Sequence, residues 1–239
     1  MKLFNLHSIR LILILGILFF LVGFANHRQK LKPVKHLKVE LLDASKIFIT
    51  ETEVENLLEE VLIAEGDSLI NENRLASFEE ALDANEMIKS SEAYYTLDGT
   101  LSAEIIQRKP IARIRDKGFY YLDEDGLAMP LSPNYSSRVP LVSGISLDEL
   151  QEVYPLLTKI DSDEFLKKHI IAIQKIADKN YVFEVRGRDY LVNFGQISYL
   201  DKKLDNYKVF YSKALEYKKI DSYKRIDLQF GNQVVCTIK

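Results

Sequence analysis

The chain contains one uninterrupted apolar run, followed by a long remainder in which apolar and polar positions alternate. Residues 11–26, LILILGILFFLVGFAN, carry no charged side chain, and Arg10 and His27-Arg28 flank them. As an α-helix, the stretch from Arg10 to Arg28 is about 27 Å long, close to the hydrocarbon core of a bilayer. The pattern predicts a single transmembrane helix over 11–26, after a short cytoplasmic head of residues 1–10.

A cleaved signal peptide is the alternative interpretation of the same run. Gly23-Phe24-Ala25 is a small-x-small triplet of the kind that a signal peptidase cuts. Either interpretation places residues 36–239 outside the cytoplasm, beyond a basic juxtamembrane connector of residues 27–35. The flanking charges do not fix the orientation, because more basic residues follow the run than precede it. The short head and large tail favour a cytoplasmic amino terminus.

The first part of the remainder begins with a strand pattern and continues with two helical patterns. Apolar and polar residues alternate over His36–Leu41, which predicts a strand. Thr50 and Glu53 have the spacing of a capping box, and apolar residues then recur at helical spacing. A second apolar stripe over Arg74–Ala84 predicts another helix.

A hairpin signal completes this region. Asp98-Gly99 lies between two alternating runs, a pattern typical of two antiparallel strands joined by a tight turn. Residues 36–108 therefore read β-α-α-β-β. We expect one three-stranded sheet covered by the two helices, because that arrangement buries the apolar faces of both layers.

Residues 109–239 combine short alternating runs with helical patterns, and they predict a mixed β domain with flanking helices. Ser146 and Glu149 form a second capping box. Apolar residues at helical spacing across Asp161–Ala177 predict a longer helix. The fold class predicted for the whole chain is therefore α+β.

The carboxyl-terminal residues predict a final hairpin. Its first strand places Ile226, Leu228 and Phe230 on one face, Gly231-Asn232 is the turn, and Gln233–Ile238 returns. No element follows this last strand, so its outer edge is a candidate template for a strand from another chain. Coverage of that edge by a neighbouring part of the same chain is an equally open interpretation.

Composition narrows the choice of partners. The formal net charge is −3, and six of the 32 Lys and Arg lie in residues 1–35, which contain no acid. The remaining 204 residues hold 26 basic and 35 acidic side chains. An acidic domain argues against nucleic acid as a partner. Cys236 is the only cysteine, so no intrachain disulfide forms.

The sequence contains no catalytic, metal or cofactor constellation that we recognise, so we expect neither an enzyme nor a small-molecule substrate. The turn Asp123–Gly126 lacks calcium-loop spacing, because the final bidentate glutamate would fall at Asn134. His169 lies beside an apolar stripe, which favours half-buried packing. Cys236 lies in a strand with no basic cluster or helix start near it in sequence, which favours an inert thiol.

Several short motifs in a fixed order resemble the bacterial FtsQ/DivIB cell division family, and most closely its Bacteroidota forms. They are Gln107–Ala112, Tyr121–Gly126, Val139–Gly144, Asn193-Phe194-Gly195 with Leu200 and Lys203-Leu204, Ile226–Phe230 and Asn232–Val235. The resemblance covers nearly the whole chain. It implies a POTRA (polypeptide-transport-associated) domain over 36–108 and an FtsQ-type β domain over 109–239.

The resemblance also implies a function. Members of this family are non-catalytic scaffolds in the inner membrane at the division septum, and they link early division proteins to septal peptidoglycan synthesis through an FtsB/FtsL-type pair. In the family, FtsB adds a strand to the terminal edge. Carried over to this chain, that partner-binding surface is Tyr223, Phe230, Gln233, Val234, Val235 and Cys236.

Two features depart from the family pattern, and one alternative function remains. Gln229 stands where the family commonly has Arg, and the cytoplasmic head is very short. POTRA domains also serve in outer-membrane protein transport or assembly, so a module of that kind is the alternative function.

Overall fold

The computed structural model describes residues 6–29, 34–43, 45–64, 72–96, 98–177, 179–231 and 233–239. The chain divides into two compact units, residues 1–107 and residues 108–239. Helix α1 spans Leu6–Gln29, and its side chains are described from Arg10 to Phe24. Among the described residues, no helix has both the length and the apolarity needed to cross a membrane. The transmembrane helix over 11–26 is therefore not confirmed, and part of the connector 27–35 lies outside the described residues.

After α1, the first unit has the predicted β-α-α-β-β order. Its elements are β1 (His36–Leu41), α2 (Glu51–Ala64), α3 (Glu72–Asp83), β2 (Ile88–Tyr95) and β3 (Thr100–Gln107). The described strands form a three-stranded sheet in the order β1-β3-β2, in which β1 is parallel to β3 and β2 is antiparallel. Parallel pairing of β1 with β3 is possible because the two helices provide the crossover between them.

Local signals explain where these elements begin. The Thr50 N–H donates to Glu53 Oε2 at 2.7 Å, and the Glu53 N–H donates to Thr50 Oγ1 at 3.2 Å, so the predicted capping box starts α2. Gln107 ties the preceding loop to β3, because its Oε1 accepts the N–H groups of Phe48 and Ile49 at 2.8 and 3.1 Å. Helices and sheet enclose one core, which includes Val39, Val54, Leu58, Phe78, Leu82, Leu101 and Ile105.

The second unit is built on a mixed sheet. Its described strands are β4 (Pro110–Arg115), β5 (Phe119–Asp123), β6 (Ala128–Met129), β7 (Leu141–Ser143), β8 (Ile170–Ala177), β9 (Asn180–Val185), β10 (Leu191–Gly195), β11 (Tyr223–Asp227) and β12 (Val235–Ile238). They lie in the order β12-β11-β10-β9-β8-β7-β4-β5-β6. The helices are α4 (Leu150–Ser162), α5 (Glu164–His169) and α6 (Leu200–Glu216), and they bury one core with the sheet.

The helix predicted over Asp161–Ala177 is wrong. The helix α5 ends at His169, and Ile170–Ala177 form β8 between β7 and β9. The pairing of β8 with β9 shifts between Ile170 and Ala172, and this bulge lets Ile170 and Ile173 both reach the core. Their three-residue spacing therefore imitates a helical stripe, although isoleucine favours strands because of its branched Cβ.

One glycine in the second unit is required by close packing. Gly144 follows β7 with φ +78°, a conformation that residues with a side chain rarely adopt. A Cβ there would lie 2.4 Å from the Lys175 carbonyl oxygen on β8. Glycine at this position lets β7 run close to β8.

Candidate partner-binding edge

The terminal strand β12 lies at one end of the sheet of the second unit. It pairs with β11 in antiparallel register, with Val235 opposite Asp227 and Cys236 opposite Ile226. Within the described ranges, no strand pairs with its other side. The strand begins at Val235 instead of the predicted Gln233. We call the unpaired side of Val235–Ile238 the β12 edge.

Hydrogen bonds of β11 show which of its residues face β12. The Leu228 N–H donates to the Asn193 carbonyl of β10 at 2.9 Å. Backbone groups of successive residues in a strand alternate in direction. Ile226 therefore also faces β10, whereas Arg225 and Asp227 face β12.

The same alternation assigns the backbone groups of β12. The Lys239 N–H donates to the Ser222 carbonyl at 2.9 Å, so Lys239 faces inward. Val235 and Thr237 face β11 with it, opposite Asp227 and Arg225. It follows that Cys236 and Ile238 direct their N–H and C=O groups out of the sheet, at the β12 edge.

Side chains along β12 differ in exposure. Val235 is 41% exposed and Ile238 is 68% exposed, whereas Cys236 is half-buried and Val234 packs against the core. Burial raises the pKa of the Cys236 thiol, which disfavours the nucleophilic thiolate. What this strand offers a partner is therefore backbone hydrogen bonding flanked by apolar side chains.

The remaining predicted residues lie around this strand. Tyr223 begins β11, and its ring lies 5.4 Å from that of Phe210 on α6. Phe230 was predicted on the face of Ile226 and Leu228, but β11 ends at Asp227 and Phe230 is 52% exposed. This prediction is wrong, because the chain leaves the strand before Phe230. The exposed Gln233 donates its N–H to the Phe230 carbonyl at 3.0 Å, and the predicted turn residue Asn232 lies outside the described residues.

Sequence reasoning missed the role of a buried lysine behind this edge. Lys203 on α6 is 2% exposed, and its Nζ donates to the carbonyls of Phe194 at 3.1 Å and Gln196 at 2.8 Å. The ammonium also lies 4.7 Å from the centroid of the Phe194 ring. Burial lowers the pKa of Lys203. The sequence signal that could have revealed this role is a lysine next to Leu204 on the apolar face of a predicted helix.

A polar pair joins β10 to β11 near the same edge. Asn193 Nδ2 donates to Asp227 Oδ2 at 3.1 Å, and Asp227 Oδ1 accepts the Gln229 N–H at 3.0 Å. These bonds fix the end of β11 where the chain turns toward β12. No sequence pattern predicted the pair, because it depends on which strands become neighbours.

A second buried cluster lies among α5, α6 and the sheet. His169 is 7% exposed, more buried than predicted, and its Nε2 lies 2.7 Å from Tyr207 Oη. Tyr207 Oη also lies 3.1 Å from Tyr190 Oη, and burial raises the pKa of Tyr190 to about 12. Burial, followed by the charges of Arg188 and Arg186, lowers the pKa of His169 to about 4. These groups pack the interior, where a substrate has no access.

The acidic turn Asp123–Gly126 joins β5 to β6, as predicted. Asp123 is fully buried, and its Oδ1 accepts the N–H groups of Asp125 and Leu127 at 3.0 and 2.8 Å. Its Oδ2 accepts a bond from Arg108 Nη1 at 2.7 Å. These bonds occupy the carboxylate, and the described residues contain no group of three or more potential metal ligands.

Fold and site together define the class. It is an α+β protein with a small β-α-α-β-β fold and a mixed sheet whose last strand, β12, pairs on one side only within the described residues. Residues 109–237 match the family described as FtsQ/DivIB, C-terminal related, and residues 34–106 match the POTRA-like domain. The first match covers more than half of the chain. This chain belongs to the FtsQ/DivIB family, which confirms the resemblance found in the sequence.

A curated relative shares part of the chain. The cell division protein FtsQ of Geotalea daltonii (strain DSM 22248 / JCM 15807 / FRC-32) is 33% identical over 89 residues. That alignment covers 37% of this chain and 32% of the relative. The chain therefore matches about a third of the length of that relative.

Proposed function

We propose that this chain is a non-catalytic, single-pass membrane scaffold of the bacterial divisome, and that it binds an FtsB/FtsL-type partner through strand addition at the β12 edge. Membership of the FtsQ/DivIB family supports a role in cell division. That family match favours this function over the alternative of outer-membrane transport or assembly.

The observation that carries the proposal is the outward direction of the backbone groups of Cys236 and Ile238. An incoming strand gains hydrogen bonds to these groups, and its alternate side chains contact Val235 and Ile238. Such binding needs no catalytic group. It joins two proteins, which is what a scaffold between early division proteins and septal peptidoglycan synthesis requires.

The proposed location follows from the apolar run. Residues 11–26 cross the inner membrane, and residues 36–239 lie in the periplasm at the division septum. Exposed apolar side chains along α1 support this part of the proposal, because Phe19 and Phe20 are each 71% exposed. A bilayer covers such side chains.

The test replaces Cys236 with proline in the full chain. Proline lacks an N–H, and an outward-facing position of an edge strand tolerates it. We expect Cys236→Pro to fold and to bind the periplasmic part of the FtsB/FtsL-type pair at least tenfold more weakly, a loss of about 1.4 kcal/mol or more. Titration calorimetry measures the affinity, and circular dichroism checks the fold.

Two further variants separate pairing from other effects. Cys236→Ala keeps the N–H and should bind like the original chain. Thr237→Pro removes an N–H that faces β11, so we expect a lower melting temperature than that of Cys236→Pro. Undiminished binding by a folded Cys236→Pro protein would overturn strand addition at this edge.

A further inference from the structure

The first unit contains a second unpaired strand edge. Its sheet order leaves β1 and β2 at the two ends. At β2, side chains of α3 reach the outer side of the strand. Glu79 Oε1 accepts the outward N–H of Ala93 at 2.9 Å, and Ser91 Oγ donates to Asp83 Oδ1 at 2.8 Å. These helix side chains block strand addition at β2.

The outer side of β1 differs. The Leu42 N–H donates to the Ile105 carbonyl at 3.0 Å, so even-numbered residues of this strand face β3. By alternation, Leu37, Val39 and Leu41 direct their N–H and C=O groups away from the sheet. Within the described part of the chain, no strand pairs with this side, which we call the β1 edge.

A groove of about 510 Å³ runs between the start of β1 and helix α2. Leu37 lines one side of it, and Glu55, Glu59 and Leu62 line the other. The last three residues lie at i, i+4 and i+7, so they form one stripe of the helix. The groove thus combines outward-facing backbone groups with three apolar side chains, those of Val34, Leu37 and Leu62, and two carboxylates.

Charge indicates what the groove accepts. Glu55 is half-buried, and the described residues provide no ion pair for Glu55 or Glu59. Lys35 and His36 lie at the β1 end of the groove, where the Lys35 stem packs beside Gly99. The wall formed by α2 is therefore acidic, and a cation placed against it is stabilised in a partly desolvated site.

We propose that the β1 edge and the groove beside it form a second docking site, which binds an extended segment of a partner protein. The segment adds a strand along Leu37, places an apolar side chain against Leu62, and directs a Lys or Arg side chain to Glu55 and Glu59. This site is separate from the β12 edge and does not depend on the function proposed for that edge.

The test uses the full chain in detergent and two labelled eight-residue peptides, one with the repeat valine-threonine-arginine-threonine and one with glutamate in place of arginine. In both peptides the apolar and charged side chains lie on the same face of the strand, as the shared wall of α2 requires. We expect saturable binding of the arginine peptide by fluorescence anisotropy, with at least tenfold weaker binding of the glutamate peptide. Binding of the arginine peptide should weaken as salt rises, because the contact is partly electrostatic.

Variants locate the binding. The double variant Glu55→Lys, Glu59→Lys should weaken binding of the arginine peptide at least tenfold. The matched control Glu60→Lys, Glu80→Lys changes two exposed glutamates outside the groove, so it should leave that binding unchanged. Leu37→Pro removes an outward N–H and should also weaken binding of the arginine peptide at least tenfold. Cys236→Pro should bind the peptide normally.

The following outcomes overturn the proposal: no saturable binding, equal binding of the two peptides, or equal loss in the groove variant and its control. Loss of peptide binding in Cys236→Pro would also overturn it, since the peptide would then be at the β12 edge. If Leu37→Pro fails to fold, the charge-reversal pair and its control decide the question.

Discussion

His169 shows how one buried side chain contributes to the pH dependence of the stability of this protein. Its imidazole stacks on Phe165 at 4.8 Å and hydrogen bonds to Tyr207. Burial, together with the charges of Arg188 and Arg186, lowers its pKa to about 4, below an ordinary value of 6.5. Between these two values the unfolded chain binds a proton that the folded chain does not. Stability from this residue is therefore complete above about pH 6.5 and is lost as pH falls toward 4.

We expect the free energy of unfolding to fall by up to about 3 kcal/mol from this residue between pH 7 and pH 4. Urea titrations of the original chain and of His169→Gln at several pH values measure the free energy of unfolding of each protein. Carboxylates such as Asp163 contribute equally to both proteins, so the difference between the two pH profiles reports the contribution of His169. His36→Gln, at an exposed position, serves as the control. An identical pH dependence in the original and His169→Gln proteins would show that His169 does not carry it.

Helix α6 is held against the sheet by a polar contact inside an apolar interface. Lys203 satisfies two carbonyls at and beyond the end of β10, those of Phe194 and Gln196. Lys203→Met keeps the length of the side chain but leaves both carbonyls without this donor. We expect a loss of about 2–4 kcal/mol in the free energy of unfolding, measured in urea. Lys213→Met, at an exposed position on the same helix, should change stability by less than about 0.5 kcal/mol; a similar loss in both variants would refute this assignment.

Elements whose signals lie within a few residues of each other were predictable. The capping box of Thr50 and Glu53 and the turn after Asp123 were both predicted correctly, because each depends on neighbouring backbone groups. The strand Ile170–Ala177 was not, because a bulge against β9 spaced its buried isoleucines like those of a helix. Local patterns cannot reveal a bulge, since the partner strand creates it.

At the scale of the whole chain, the order of elements was predictable over residues 36–107, but the neighbours of each strand in the second unit were not. The terminal hairpin was visible in the alternation of apolar residues, yet the position of β12 at the end of the sheet depends on pairings between distant strands. The contacts behind that edge, Lys203 with Phe194 and Asn193 with Asp227, also join distant segments. Sequence therefore indicated a candidate strand, and the fold identified Cys236 and Ile238 as its outward-facing residues.

The tether proposed for residues 11–26 leads to a prediction about the complete molecule. Leu15 and Leu18 lie within the apolar run, and arginine at the centre of a membrane helix costs about 3 kcal/mol per residue. We expect alkaline carbonate to leave the original chain in the membrane fraction and to release the double variant Leu15→Arg, Leu18→Arg. The apolar control Leu15→Ile, Leu18→Val should stay in the membrane.

The mass of the mature protein separates anchor from signal peptide, because an anchor leaves Met1–Asn26 in place whereas cleavage after Ala25 removes the run. A mature chain that begins at Asn26 would contradict the single-pass scaffold, since residues 36–239 would then lose their attachment to the membrane.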